Sequence, residues 1–280
     1  MHVFVTGATG YIGSVVVREL IDAGHQVVGL ARSDHGAAAL NQAGAAVHRG
    51  ALDDLDSLHS GAAAADGVIH LAFKHNFSDF AGSLASDLRA VEALGAVLEG
   101  SQKPFITTAH ANGEASDNAV IALAQRGVRT SVVSLSPTVH GEGDQGFVPT
   151  LINIARDKGF SAYIGDGSNR WPAVHRLDAA HLYRLALEKA PAGSRLYGRA
   201  EDGVPFRDIA NVIGQHLTVP VVSISREEAD AHFGFLGVIA ALDIPSVMPG
   251  STAQTREVLG WEPVHPGLIE DLELGYYFNN

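Results

Sequence analysis

Short runs of apolar, mostly β-branched residues alternate with longer stretches of helical periodicity through the first 135 residues. The apolar runs are continuous rather than alternating, which is typical of parallel strands that are buried on both faces. They predict strands at 2–6, 26–31, 45–48, 66–71, 103–108 and 129–135. The stretches between them predict helices at 11–23, 35–43, 54–64, 78–99 and 115–126. This order predicts an α/β fold with a doubly wound parallel sheet.

The pattern changes after Pro137. Residues 137–146 are rich in glycine and charge and predict a loop. The remaining chain predicts helices near 147–158, 178–190, 205–217 and 251–259, with extended pieces at 194–199 and 219–224. We therefore expect two domains, 1–136 and 137–280. The second is a small mixed C-terminal lobe for the substrate, which also returns elements to the first sheet.

Composition narrows the classes of function. A net charge of −12 argues against nucleic acid or an anionic membrane as the main partner. The chain has no cysteine, which excludes disulfides, thiolate metal sites and a cysteine nucleophile. The spacing of its 14 histidines predicts no metal site. No apolar run is long enough to span a membrane and no signal peptide is predicted, so we expect a cytoplasmic protein.

The residues after the first strand predict a phosphate-binding turn. Gly7 allows a tight turn, Gly10 lets the backbone approach a pyrophosphate, and Gly13 lets the next helix lie close to the strand. The phosphates would then meet the free N–H groups at a helix N-terminus. This pattern predicts a Rossmann domain that binds a nicotinamide dinucleotide. The expected contacts are Gly7, Thr9, Gly10, Tyr11, Ile12 and Gly13.

The G-x-x-G-x-x-G spacing of this turn resembles that of the short-chain dehydrogenase/reductase superfamily, in its extended and atypical, epimerase/dehydratase-like forms. Residues 68–72 resemble the family's fourth strand, whose end passes the cofactor. Residues 135–141 resemble the segment that touches the nicotinamide, and residues 171–180 resemble the segment that opens a late helix. The resemblance covers essentially the whole chain. It implies cofactor contacts at Leu71, Ala72, Phe73, Thr107, Pro137, Val139 and His140, the last as a ring packed beside the cofactor.

The end of the second strand distinguishes the two nicotinamide cofactors. NAD-binding domains place an acid there for the ribose hydroxyls, but this chain has Ala31 near that position. Arg32 can pair with a 2′-phosphate and Ser33 can add a hydrogen bond, although Asp34 lies close by. We therefore predict NADP(H) rather than NAD(H). The resemblance adds an apolar contact from Leu52 to the adenine.

The catalytic residues of the superfamily are only partly present. Its members use a tyrosine acid and a lysine four residues later, but no tyrosine here is followed by lysine at that spacing. The resemblance implies that Thr107 or Thr108 orients the substrate carbonyl, and we predict Thr108 in this role. His110 is a candidate proton donor, because imidazole titrates near neutral pH, and Glu114 would raise its pKa if both shared a helical face. A bound water as the donor, with His110 as a surface residue, is the alternative.

The segment 109–115 is shorter than in the family. A chain that has lost its catalytic loop and a sequence that omits one would both explain this. The leading hypothesis is an NADP(H)-dependent oxidoreductase acting on a small carbonyl or related compound. The alternatives are a redox sensor that binds NADP(H) without turnover and a nucleotide-sugar epimerase-like enzyme. The resemblance also implies a possible homodimer through helices 78–99 and 115–126.

Overall fold

The computed structural model describes residues 1–248 and 250–279. The strands are β1 His2–Thr6, β2 Gln26–Ala31, β3 Ala46–Arg49, β4 Gly67–His70, β5 Pro104–Thr108, β6 Arg129–Leu135, β7 Thr138–His140, β8 Ser161–Ile164, β9 Arg170–His175, β10 Ser194–Gly198, β11 Glu201–Pro205 and β12 Val221–Ile224. The α-helices are α1 Tyr11–Asp22, α2 Asp34–Gln42, α3 Leu55–Ala63, α4 Phe80–Leu98, α5 Glu114–Ala122, α6 Phe147–Lys158, α7 Arg176–Lys189, α8 Phe206–Leu217, α9 Arg226–Phe233, α10 Gly237–Ala240, α11 Ile244–Val247, α12 Thr252–Leu259 and α13 Leu268–Glu273.

The chain divides into two compact units, the first comprising residues 1–135, 179–198 and 253–261. This first unit is built on a seven-stranded sheet with the order β3-β2-β1-β4-β5-β6-β10, in which every neighbouring pair is parallel. The six strands predicted from the first 135 residues are all present, each within one residue of its predicted bounds. The prediction of a Rossmann-type α/β fold is confirmed.

The strand order of this sheet reverses between β1 and β4. The chain proceeds from β1 toward β2 and β3 on one side, and returns through β4 to the other side. In parallel sheets, ligands bind at this reversal, outside the carboxyl ends of the strands. Beneath it lies a fully buried core that includes Phe4, Leu58, Leu94 and Phe105. The packing of this core supports the residues that follow β1, β4 and β5 at this edge of the sheet.

Helix starts in the first unit follow local side-chain chemistry. Ser33, Asp54 and Asp79 accept hydrogen bonds from amides in the first turns of α2, α3 and α4, at 3.1, 3.1 and 2.9 Å. Such caps satisfy N–H groups that a helix N-terminus leaves without a partner. Helix α1 differs, because it begins at Gly10 without a side-chain hydrogen bond at its N-cap.

The second unit comprises Ser136–Asp178, Arg199–Thr252 and Glu262–Asn280 and contains two small sheets. In one, β7 pairs in parallel with β9, and β9 pairs antiparallel with β11; in the other, β12 and β8 are parallel. The prediction that residues 137–146 form a loop is therefore wrong for 138–140. A three-residue strand among glycines and charges is too short to give a periodic signal.

The core of the second unit is mostly aliphatic and includes the fully buried aromatic side chains of Trp171 and Phe206. Asp178 lies in the first turn of α7. Its buried carboxylate accepts hydrogen bonds from the amides of Val264 and His265 at 3.0 and 3.1 Å. Across residues 1–248 and 250–279, no helix combines the length and hydropathy needed to span a bilayer.

Candidate active site

The turn between β1 and α1 has room only for glycine at two positions. Gly7 has a φ of 66°, and a Cβ there would lie 2.7 Å from the backbone nitrogen of Ala72. A Cβ on Gly13 would lie 1.9 Å from the carbonyl oxygen of Gly7, the atom to which Gly10 donates its N–H at 2.9 Å. Side chains at positions 7 and 13 are thus excluded from the turn at the N-terminus of α1. The residues fit a diphosphate bound by backbone amides.

The predicted side-chain contacts of this turn lie at its rim. Thr9 is exposed, and Tyr11 and Ile12 are partly buried in the first turn of α1. The segment after β4 is held against the turn, because the hydroxyl of Thr6 accepts a hydrogen bond from the amide of Ala72 at 3.3 Å. Several predicted cofactor residues therefore lie beside the glycine turn in the first unit. Their contact with a cofactor stays a prediction.

The end of β2 carries a free cation and a compensated acid. Arg32 is exposed and makes no hydrogen bond or ion pair with any residue that the structure describes. Ser33 uses a lone pair to cap α2, which leaves its hydroxyl hydrogen available. The carboxylate of Asp34 instead pairs with Arg49 from the end of β3, at 2.5 Å. Asp34 is therefore partly neutralised beside the position predicted for a 2′-phosphate.

The strip predicted to line the adenine follows β3. Leu52 is partly buried and packs against the core of the first unit. The next residue, Asp53, accepts hydrogen bonds from Lys74 at 2.6 Å and from Ser86 at 2.8 Å. These hydrogen bonds hold the pKa of Asp53 below its ordinary value. The ion pair between Asp53 and Lys74 joins the residues after β3 to the segment after β4.

A row of polar side chains crosses the carboxyl ends of three strands. Thr6, His70 and Thr107 are register partners on β1, β4 and β5, and all three are buried. Thr6 Oγ1 lies 2.7 Å from His70 Nδ1, and His70 Nε2 lies 3.3 Å from the carboxylate of Asp87 on α4. Within the described parts of the chain, the hydroxyl of Thr107 has no hydrogen-bond partner. Buried polar groups are normally paired, so this row indicates a functional site.

His110 stands beside this row, in the turn between β5 and α5. Its ring is stacked on that of Phe73 with centroids 3.9 Å apart, and its Nε2 lies 3.9 Å from the Asp87 carboxylate. Burial lowers the pKa of His110 to about 4, although Asp87 acts to raise it. Glu114 begins α5 whereas His110 precedes it, so the two do not share a helical face. The expectation that Glu114 raises the pKa of His110 is therefore wrong; the neighbouring acid is Asp87.

Thr108 makes a side-chain hydrogen bond with a residue of α7. Its hydroxyl lies 2.6 Å from the phenol oxygen of Tyr183 on α7, whose side chain is fully buried. Burial raises the pKa of Tyr183, so its proton stays on the phenol. With Tyr183 donating, Thr108 keeps its own hydrogen for another acceptor. This arrangement is compatible with the predicted role of Thr108 in orienting a substrate carbonyl.

Three predicted cofactor residues belong to the second unit. Pro137 and Val139 are partly buried. His140 is fully buried on β7, where its Nδ1 lies 2.7 Å from the Asp271 carboxylate and its ring packs edge-on against His175. These contacts enclose the ring of His140. Cofactor contact at these three positions stays a prediction.

Comparison with known proteins identifies the family. Residues 3–97 match the NAD dependent epimerase/dehydratase family. A protein of Schizosaccharomyces pombe, described as uncharacterised, is 47% identical to this chain. The alignment is 299 positions long and covers 99% of this chain and 100% of that protein. The chain belongs to the NAD dependent epimerase/dehydratase family.

Two further epimerase/dehydratase-like proteins show the range of this similarity. The 2-alkyl-3-oxoalkanoate reductase of Stenotrophomonas maltophilia is 26% identical over 260 residues, covering 79% of this chain and 77% of the reductase. The dTDP-glucose 4,6-dehydratase of Streptomyces venezuelae, solved with NAD bound, has the same fold, with a TM-score of 0.72 and 17% identity over 98% of this chain and 96% of that one. Members of the family bind NAD(P), which agrees with the glycine turn.

The sequence analysis missed three residues of the site in this family member: His70, Asp87 and Tyr183. A signal for Asp87 was present. Ser83 and Asp87 are polar residues on the face of α4 that also carries Ala90, Val91 and Leu94. A carboxylate on an otherwise apolar helix face is costly to bury unless it has partners, so it indicates a polar site beneath the helix. Tyr183 gave no such signal, because its pairing with Thr108 spans 75 residues of sequence.

Proposed function

We propose that the protein is an NADP(H)-dependent oxidoreductase that acts on a small carbonyl compound or the corresponding alcohol. One observation carries the proposal. A partly exposed imidazole, His110, lies beside the buried carboxylate of Asp87 at the same sheet edge as the glycine turn. A site that holds a dinucleotide and a proton-transfer group together suits hydride chemistry at a carbonyl.

The residues of the first unit have distinct roles in this proposal. When bound, the dihydronicotinamide supplies the hydride that adds to the carbonyl carbon. Thr108 donates its free hydrogen to the carbonyl oxygen and orients it. His110 in its protonated form transfers a proton to that oxygen as the alcohol forms, and then recovers a proton from solvent, to which 17% of its side chain is exposed. A bound water is the alternative donor.

The charges at the end of β2 support NADP(H) over NAD(H). Arg32 is available to pair with a 2′-phosphate, and the hydroxyl hydrogen of Ser33 can add a hydrogen bond. The acid that would favour two ribose hydroxyls is missing, because Ala31 ends β2 and Asp34 is engaged by Arg49. Charge at this position therefore favours the phosphorylated cofactor.

The substrate class rests on the relatives. The similar protein of Stenotrophomonas maltophilia is named for the reduction of a 3-oxoalkanoate. A 2-alkyl-3-oxoalkanoate is therefore the first carbonyl compound to test, followed by aldehydes and simple ketones. A nucleotide sugar belongs in the same panel, because the similar dehydratase acts on dTDP-glucose by its name.

The experiment measures NADPH binding by fluorescence and NADPH oxidation with this panel of substrates. Oxidation of NADPH with a carbonyl substrate would support the proposal. Binding without oxidation of any substrate would overturn it in favour of a redox sensor, which the five-residue connection between β5 and α5 favours. Product without net cofactor change would favour an epimerase-like reaction. A failure to bind either nicotinamide dinucleotide would reject all three.

A further inference from the structure

The hydrogen bonds of the buried polar row run in one direction when the imidazole of His70 is neutral. An ionised carboxylate can only accept, so His70 Nε2 must donate to Asp87. In a neutral imidazole Nδ1 is then the acceptor, and the hydroxyl of Thr6 must donate to it at 2.7 Å. The oxygen of Thr6 in turn accepts from the amide of Ala72. A chain of hydrogen bonds thus runs from the segment beside the glycine turn to Asp87.

Asp87 is held as a carboxylate in a buried position. Its side chain is 3% exposed, and burial alone would raise its pKa. Hydrogen bonds from His70 and Ser116 lower the pKa of Asp87, which lies below its ordinary value despite burial. A buried negative charge fixed in this way acts strongly on any neighbour, because little water screens it.

The neighbour that lacks a hydrogen bond to Asp87 is His110. The distance of 3.9 Å between His110 Nε2 and the carboxylate is within ion-pair range but too long for a hydrogen bond. Stacking on Phe73 holds the imidazole plane in place. The other groups that act on His110 are His70 and His75, which disfavour its protonated form. Asp87 is therefore the group that favours protonation of this ring.

We propose that Asp87 is a positioning residue for His110: its carboxylate stabilises the protonated form of the imidazole during proton transfer, while His70 and Thr6 hold the carboxylate in place. The inference rests on the proposed function and adds a residue to it. Asp87 supplies a fixed charge next to the proton-transfer group, in a chain whose sequence has no tyrosine–lysine pair at the spacing used in the superfamily. Asp87 itself keeps its charge throughout and neither gains nor loses a proton.

The test is an NMR titration of the His110 ring in the whole chain, with and without Asp87→Asn. A pKa near 4 leaves about a tenth of His110 protonated at pH 5, and removing an adjacent charge lowers a histidine pKa by about one unit or more. We expect the protonated fraction at pH 5 to fall about tenfold in Asp87→Asn. Asp79→Asn is the matched control, because it makes the same change at the N-cap of the same helix.

An unchanged protonation of His110 in folded Asp87→Asn would overturn the proposal. If that variant does not fold, the wild-type chain decides: the carboxyl carbon shift of Asp87 should follow the titration of His110, and an independent shift would overturn the proposal. Neither measurement requires turnover, so both are separate from a failure of the proposed reaction. Once a substrate is found, Asp87→Asn should lower kcat and alter its pH profile, with the KM for NADPH unchanged. An unaltered pH profile would count against the proposal.

Discussion

At the scale of single residues, the proposed preference for NADP(H) over NAD(H) depends on one exposed guanidinium. Arg32 has no partner in the described chain, so its charge is available to a 2′-phosphate, which NADPH carries and NADH does not. We expect Arg32→Ala to weaken the binding of NADPH by about tenfold or more and that of NADH by less, because a charge-assisted hydrogen bond contributes about 1.5–3 kcal/mol. Dissociation constants from cofactor fluorescence check this.

Two variants control the interpretation of Arg32→Ala. Arg18→Ala removes the same charge from an exposed position of α1 and should leave both affinities unchanged. Asp34→Asn removes the negative charge beside Arg49 and should strengthen the binding of NADPH. Equal losses of NADPH and NADH affinity in Arg32→Ala would remove the argument for a 2′-phosphate.

The protonation of His110 predicts a pH profile. Its pKa of about 4 means that the protonated fraction rises about tenfold for each unit by which the pH falls from 7 to 5. If His110 is the acid, kcat/KM for carbonyl reduction should rise in proportion. His110→Ala should lower turnover by about a hundredfold and remove this slope, because a positioned acid contributes that much. Steady-state kinetics between pH 5 and 7 measure both effects.

The exposed His59 on α3 provides the matching histidine control. His59→Ala should retain both the turnover and the slope of the wild type. A flat profile in the wild type, or full turnover in His110→Ala, would make a bound water the proton donor.

Individual site residues differed in how far the sequence could predict them. Gly7 and Gly13 were predictable, because a backbone requirement leaves glycine as the solution at those positions. The acid beside His110 was not, because proximity along the chain suggested Glu114 whereas the fold brings Asp87 from α4. Local spacing predicts contacts within a helix, and His110 lies in a turn before the helix begins. Contacts between elements require the fold.

At the scale of elements, the packing of α1 on β1 depends on Gly13. A Cβ at this position would meet the backbone of Gly7 at 1.9 Å, and backbone atoms cannot rotate away as a flexible side chain can. Gly13→Ala should therefore shift α1, lower stability by about 1–3 kcal/mol and weaken NADPH binding by more than about tenfold. Urea unfolding and cofactor titration measure the two effects.

Gly36→Ala is the matched variant for stability. It lies in α2, where a Cβ would meet its nearest atom at 3.4 Å, an ordinary contact. Because alanine is the better helix former, this variant should be as stable as the wild type or more stable. Wild-type stability in Gly13→Ala would show that α1 has room to move.

Whole elements were predictable where the chain is periodic. The strands of the large sheet are continuous apolar runs, and all six predicted within the first 135 residues are present. In the second unit, β9 contains Pro172 between apolar residues and β7 has three residues, so neither gives a clear period. Helix α9 could have been predicted, because Ser225 and Glu228 form a capping box that is readable in the sequence.

At the scale of the whole molecule, two histidines with lowered pKa values predict the response of stability to acid. Burial lowers the pKa of His110 in the first unit and of His175 in the second unit, each to about 4. An unfolded chain takes up protons at both positions near pH 6.5, so between pH 6.5 and 4 the unfolded state binds more protons than the folded state. Stability should therefore be full above pH 6.5 and fall as the pH falls toward 4.

His175→Phe tests this at a position outside the first unit. The change keeps an aromatic ring beside His140 and His265 but removes the titration. Between pH 7.5 and pH 5, His110 and His175 should each lower the free energy of unfolding of the wild type by at most about 2 kcal/mol. The variant should lack the contribution of His175. Urea midpoints at the two pH values, at one ionic strength, measure the loss, with the exposed His35→Phe as the control that should behave as wild type.

Carboxyl groups set the limits of this window. Asp144 and Asp117, whose pKa values burial raises, act in the opposite direction and reduce the net slope. Asp87 and Asp271, whose pKa values are held low by their hydrogen bonds against the effect of burial, lose their contribution only below about pH 4. The loss between pH 6.5 and 5 therefore belongs to the histidines. Equal losses in His175→Phe and in the wild type would mean that His175 titrates normally in the folded chain and that its burial carries no cost.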